Sequence, residues 1–321
     1  MKKTFRTLLL ALSICALGSL PQAACAQDRT VNNGEVSITF NPQQLDRSSE
    51  VERATRTVST FTKLSTALGV QVRFTPSTGR QTQIKLTATK GYADYLLTQV
   101  NNGVLTVTWD SKRLRRDFKR KKFTLACLVE ITAPVPAKVE ASEGSFVSFT
   151  QAMSLPAKFE VEAESGATVK ASALNGDDVE VDVSSGSRFE ATAMHLHSLD
   201  VDASSGSAVT IGGIVATAEV DLDASSGSTL HASLDRSPGS LKAEASSGAR
   251  LHLSGSLEGQ TYLEASSAGK LDASALRVPS AKVDASSGGK LSAPQVERLT
   301  FSESSGGKVS WTGHPQVTKK D

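Results

Sequence analysis

The stretch Val181-Asp182-Val183-Ser184-Ser185-Gly186-Ser187 is one that this 321-residue chain keeps returning to, and no other feature narrows the possible folds as much. Close copies stand at 201–206, 222–227, 243–248, 263–267, 283–288 and 301–306, with looser ones at 139–144 and 161–166. The glycine-equivalent positions are 144, 166, 186, 206, 227, 248, 268, 288 and 306, a period close to 20 residues. A fixed period of this size marks a solenoid, in which one short unit stacks on its neighbours.

Aligned on the glycine, the positions seven, five and three before it are mostly apolar, as in Val179, Val181 and Val183 or Leu199, Val201 and Ala203. So are the positions three and five after it: Phe189 and Ala191, Val209 and Ile211, Leu230 and Ala232, Leu251 and Leu253. This alternation predicts two short strands per coil, joined at a Ser-Ser-Gly corner. One such pair cannot bury its apolar face alone, whereas parallel stacking at ~4.8 Å per coil builds a continuous core. Glycine admits the positive φ of a sharp corner, and serine hydroxyls satisfy the corner backbone. Aromatic residues make up only 5% of the chain, which suits a thin core of Ala, Val and Leu. The expected fold is all-β: a right-handed parallel β-helix with coils of about 20 residues.

The chain ahead of the array is less regular. Lys2, Lys3 and Arg6, the apolar run 8–20 and the small residues at 24–26 read as a secretory signal peptide, with Gln27 starting the mature chain. A lipoprotein with Cys25 as the lipid-bearing residue is the rival reading; Gln22 stands where such a site prefers an aliphatic residue. Within the polar segment that follows, residues 45–57 could form a short helix with few apolar positions to hold it. Val70–Phe74 alternates as a strand, 83–88 is another, 92–99 holds one or two helical turns, and Asn101-Asn102-Gly103 turns into a strand at 104–109. The domains expected are a signal peptide (1–26), a polar leader (27–55), a strand-rich N-terminal part of the solenoid domain (56–135), the regular array (136–312) and a C-terminal tail (313–321).

Charge and cysteine content limit the partners. The whole chain has 35 basic and 33 acidic residues; without the first 26 the balance is 32 against 33, so no net field favours nucleic acid. Cys127 would then be the one remaining cysteine, which excludes an intrachain disulfide and reads as a small buried hydrophobe. No second stretch is long and apolar enough to be a transmembrane segment. The expected location is exported: periplasmic, outer-membrane-associated or extracellular.

Two clusters are candidate surface sites. Lys112, Arg113, Arg115, Arg116, Lys119, Arg120, Lys121 and Lys122 form a basic run opposed only by Asp117, read either as a polyanion contact or as a solvated loop between strands. The outward columns four and six before the glycine hold Glu160, Glu162, Glu180, Asp182, Asp200, Asp202, Asp221 and Asp223, an acidic ladder on one sheet face. Such a ladder repels itself unless screened; divalent cation binding and a plain solvated face are both open there, though no nonapeptide calcium signature appears. Arg188, Arg250, Lys270, Lys290 and Lys308 fill the column two after the glycine, so the array is expected to run from acidic toward mixed or basic along its axis. His195 and His197 are read into an inter-strand loop, while His231 and His252 share an outward column in adjacent coils. No phosphate-binding glycine loop, nucleophile elbow or zinc spacing occurs, so no catalytic residues, metal or cofactor are expected. Serine pairs repeated in nearly every coil are structural, because a catalytic site is singular.

The run Val58–Val72, the turn and strand Gln99–Val107, and Ile131–Pro134 followed by Val139–Gly144 together resemble the putative auto-transporter adhesin head (GIN) domain family, found largely in Bacteroidetes. The resemblance covers roughly residues 56 to 311, with Ser-Ser-Gly more often than the family's Gly-Ser-Gly at the corner. It implies a β-helix related in shape to pectin-lyase-like folds without their catalytic residues, a role in cell adhesion, and homo-oligomerisation by analogy alone. No coiled-coil stalk or membrane barrel accompanies the repeats in this sequence. The expected function is a non-enzymatic secreted or cell-envelope binding module, with a glycan or other surface ligand. A polysaccharide-active enzyme and a purely structural envelope scaffold are the alternatives.

Overall fold

The computed structural model describes residues 29–33, 36–40, 50–79, 81–118 and 125–320. Its described residues form a β-solenoid of about nine turns. The strands before each corner stack in register, with Val161, Val181, Val201, Leu222, Ala243, Leu263, Val283 and Phe301 directly above one another. The strands after it do the same through Val169, Phe189, Val209, Leu230, Leu251, Leu271, Leu291 and Val309. Of these sixteen, all but Val309 are buried, so the period-two alternation has become one continuous core.

The corner has a sharper requirement than glycine alone. In each full copy the second serine as well as the glycine has positive φ, 53° at Ser185 and 73° at Gly186. Two successive left-handed residues closed by Ser187 N–H donating to the Ser184 carbonyl (3.1 Å) make a type I′ turn. The Gly186 N–H then donates to the Ser205 carbonyl of the next coil (3.1 Å), so the corner also joins coils. Ala268 takes the glycine place at φ 63°.

Corners of this kind alternate with bends that do not interrupt the strand. Arg188–Ala203, Ala208–Ala224 and Lys270–Ala285 are single strands of 16 or 17 residues that run from one coil into the next. His195 and His197 therefore lie on a strand and not in a loop, both exposed.

The N-terminal end departs from simple stacking. In order it contains β1 (Arg29–Asn33), β2 (Val36–Phe40), β3 (Val51–Val58), β4 (Lys63–Thr66), β5 (Gln71–Pro76), β6 (Thr82–Thr89), a 3-10 turn at Ala93–Tyr95, β7 (Leu96–Asn101), β8 (Val104–Trp109), α1 (Ser111–Asp117), β9 (Cys127–Ala133), β10 (Lys138–Ala141) and β11 (Phe146–Phe149). The β4–β5 coil comes first in sequence but second in space: β4 lies between β8 and β10, and β5 between β9 and β11. The chain thus doubles back to build the end of the stack. There β6 pairs antiparallel with both β3 and β9, and β7 with β8, which covers the edges that parallel coils would leave open.

Two local expectations change and a third is narrowed. Part of the helix expected at 45–57 is the strand β3, because Ala54, Arg56 and Val58 are half-buried in alternation with the exposed Arg53, Thr55 and Thr57; residues 41–49 lie outside the described residues. Residues 92–99 give a single 3-10 turn before β7. The basic run begins as α1 rather than a loop, capped by the Asp110 carboxylate accepting from Arg113 N–H (2.9 Å) and anchored by the fully buried Leu114.

Cys127 starts β9 with its side chain fully buried, and burial pushes its thiol up to about 12. A water-soluble disulfide reagent at pH 8 is expected to leave the folded protein unlabelled and to react fully in urea; rapid labelling without denaturant would show that this part of the core is open.

Candidate functional site

Three places carry chemistry on the outside of the solenoid. The first is the acid-bearing face. One column there stacks Glu140, Glu162, Asp182, Asp202, Asp223, Glu244, Glu264 and Asp284, eight acids in successive coils. The neighbouring column stacks Lys63, Lys138, Glu160, Glu180, Asp200, Asp221, Lys242, Tyr262 and Lys282. The eight acids read from the sequence are brought together as a two-by-four block, with lysines closing both ends.

Those lysines neutralise the margins. Lys138 reaches Glu162 at 3.0 Å and Glu160 at 3.4 Å, and Lys158 reaches Glu160 at 2.8 Å and Glu180 at 3.0 Å. At the other end Lys242 contacts Glu244 at 2.8 Å and Asp221 at 3.5 Å. Asp182, Asp200, Asp202 and Asp223 have no ion pair within 4 Å among the described residues. Electrostatics follow this division. Hydrogen bonding from Lys158 holds Glu160 below the usual carboxylate range. Desolvation, followed by repulsion from the neighbouring acids, raises Asp182 and Asp200 and lifts Asp223 to about 6. Among the described residues no group of three or more His, Cys, Asp or Glu side chains is arranged to hold a metal ion. The acids stand one per coil in each column, spread along the face, and do not converge.

The second place is α1 at the doubled-back end. Lys112, Arg113 and Arg116 are exposed and Arg115 is half-buried; Lys119, Arg120, Lys121 and Lys122 lie outside the described residues. Tyr92, Tyr95 and Phe118 make an aromatic cluster under the helix, with ring centroids 5.4–6.1 Å apart. Arg113 lies over the Tyr95 ring, 4.6 Å from its centroid. Asp117 gathers the Arg116 guanidinium (2.8 Å) and the Tyr95 hydroxyl (3.0 Å), and those two hydrogen bonds, Arg116 first, lower its pKa. The helix is thus held rigidly while much of its cationic surface remains turned outward.

At the third place the sequence showed the shared outward column of His231 and His252, but not the trough beside it or Asp272 at its end. On the second face, Thr210, His231, His252 and Asp272 stack in one outward column. The imidazoles of His231 and His252 are parallel, with centroids 4.7 Å apart and planes within 5°. Asp272 Oδ2 lies 3.7 Å from His252 Nδ1. Beside this column runs a trough of about 410 Å³, lined also by small residues from four successive coils. A signal of uneven coils was present: glycine spacing rises to 21 residues for 206–227 and 227–248, against 20 for the coils next to them. The extra residue of 206–227 leaves the ladder opposite Leu196 and Ser198, away from the trough, whereas at the trough itself residues 212–213 face residue 233 alone, so the next coil is one residue shorter there.

Comparison with known proteins places this geometry. The model of the family described as putative auto-transporter adhesin, head GIN domain matches residues 60–235 and 197–315, and the chain belongs to that family. Two solved structures share the fold. One, described as a putative lipid binding protein from Parabacteroides distasonis, is 11% identical with a TM-score of 0.55, covering 83% of this chain and 98% of its own. The other, described as a putative adhesin from the same organism, is also 11% identical with a TM-score of 0.50, covering 84% and 97%. No curated protein matches the sequence. The adhesin family supports a binding role in general terms and an extracellular or envelope setting; no helix among the described residues is long and apolar enough to cross a membrane.

Proposed function

We propose that the chain is exported and acts at the cell envelope or outside the cell as a non-catalytic adhesive module, holding a surface glycan or glycoconjugate along its outward faces. The observation that supports this most is the column-by-column repetition of outward side chains. An extended partner lying along the axis meets equivalent polar groups every ~4.8 Å, so many weak contacts add together. Catalysis would need one converging set of nucleophile, base and orienting group, and the acids here are spread evenly along a ladder. The polysaccharide-active and scaffold readings are separated from this one by experiment. Purified protein applied to a mixed glycan array and to intact bacteria is expected to bind saturably; binding to neither would favour a scaffold.

Within this reading α1 is the contact for an anionic partner. Replacing the exposed Lys112 with Glu is expected to lower the salt needed to elute the protein from a heparin column, used as a generic polyanion, with melting temperature unchanged. Unaltered elution would remove α1 from the binding surface.

A further inference from the structure

The trough on the second face exists because the coil repeat breaks there. Register slips between Ile211 and Ile214, between Leu234 and Ser237, and between His252 and Ser254. The outer strand surface sinks at these breaks, and small residues (Gly212, Ala232, Ser233, Ser254 and Ala275) leave about 410 Å³ of space. The long dimension follows the solenoid axis across the four coils that supply Thr210, His231, His252 and Asp272, roughly 14 Å at ~4.8 Å per coil. One wall is polar and the floor is carbon-rich.

The polar wall is largely unused by the protein itself. Among the described residues no hydrogen bond engages the hydroxyls of Thr210, Ser233 or Ser254, or the imidazole of His231. Asp272 is already fixed: its Oδ1 accepts from Ser274 Oγ at 2.7 Å and Ser274 N–H at 3.1 Å, which keeps it ionised and leaves Oδ2 facing His252. Burial, with the neighbouring His252 as the smaller cause, lowers the His231 pKa, so this end of the wall carries a neutral imidazole able both to donate and to accept.

We infer that this trough binds a short segment of an uncharged, hydroxyl-rich oligosaccharide, with hydroxyls against His231, His252 and Asp272 and the carbon face of the sugar on the small-residue floor. The inference rests on the glycan reading above and narrows it to one place and one chemical class. The carboxylate of Asp272, held ionised by Ser274, disfavours uronic acids and sulfated sugars at that end of the wall. An acyl chain would cover the polar wall and leave its donors and acceptors desolvated. A sugar ring has both a carbon face and a hydroxyl edge, and the trough offers a match for each.

The test uses the full mature chain with labelled histidines, titrated with cellohexaose, maltohexaose and chitohexaose while the imidazole NMR signals are followed. At least one of the three is expected to shift His231 and His252 together at millimolar concentration or below. Ala275 is exposed, so Ala275→Trp fills the trough from outside the core; it should abolish the shift while the melting temperature stays unchanged. Asp272→Asn should weaken binding about tenfold, as expected for loss of one charged hydrogen-bond acceptor. No imidazole shift with any of the three sugars, or an equal shift in Ala275→Trp, would overturn the proposal. Binding to intact bacteria by the same Ala275→Trp protein separates the two levels: if it persists when the trough is blocked and silent, the adhesive reading stands and this location for it falls.

Discussion

Gly289→Ala is expected to cost about 3 kcal/mol or more, while Gly288→Ala one residue earlier costs about 1–2 kcal/mol. The sequence suggests the reverse, because 288 belongs to the recurrent Ser-Ser-Gly glycine and 289 falls in a column that elsewhere holds Ser145, Ala167, Ser187 or Ala249. Gly288 has φ 75° but a Cβ there would meet nothing within 4 Å, and Ala268 already occupies the equivalent place at φ 63°. The penalty is therefore the left-handed backbone alone. At Gly289 a Cβ would lie 2.1 Å from the Ala265 carbonyl oxygen of the coil below. That oxygen cannot move aside, since it accepts the Ser286 N–H at 2.9 Å as part of the joint between coils. Relieving the overlap means separating two coils and losing their shared hydrogen bonds. Urea unfolding of both variants, with hydrogen exchange to locate the loosened coil, checks the order; equal effects would show that the coils have slack at this corner.

The second large effect is a stability maximum on the acid side of neutrality. Asp223, lifted to about 6, and Asp182 and Asp200, also raised, bind protons more readily in the folded chain than in the unfolded one. Between pH 4 and 6 the folded state holds the extra protons, so stability rises as pH falls through that window and is lost again on return to pH 7. The strip is only partly buried, and solvent screening limits the gain to on the order of 1 kcal/mol. Two opposing groups set its edges. The lowered His231 gives stability that falls as pH drops below about 6.5, where the unfolded imidazole gains its proton first. The lowered Glu160, Asp272 and Asp284 lose their contribution below about pH 4. The urea midpoint should therefore peak near pH 5, and Asp223→Asn should raise stability at pH 7 while flattening the profile. A midpoint that climbs steadily from pH 5 to 7 would mean that the ladder is relaxed by solvent or ions.

The periodic part of this molecule was readable because a solenoid repeats its physical problem in every coil. Val181, Asp182 and Gly186 face the same inward, outward and corner demands as Val201, Asp202 and Gly206, so one alignment settled core, charged face and turn together. The N-terminal end carried no such redundancy. Nothing in Lys63–Thr66 indicates that it will insert between two later strands, because that position depends on partners 41 and 75 residues away, Val104–Val107 and Lys138–Ala141. The helix in the basic run was hidden by charge, with Leu114 as its one buried apolar anchor. The trough was hidden by the repeat itself: aligning copies on the glycine fixes the corners but not the strand lengths between them, and only the pairing of strands shows that residues 212–213 face residue 233 alone.

The most direct test of the molecule as a binder and not a processor of glycans is to measure both properties on one sample. Any polysaccharide that the full mature chain retains on the array is incubated with equimolar protein, and bound fraction and glycan length distribution are read together over a day. Saturable binding with an unchanged length distribution and no new reducing or unsaturated ends is the expected result. Progressive shortening of the bound glycan would contradict it.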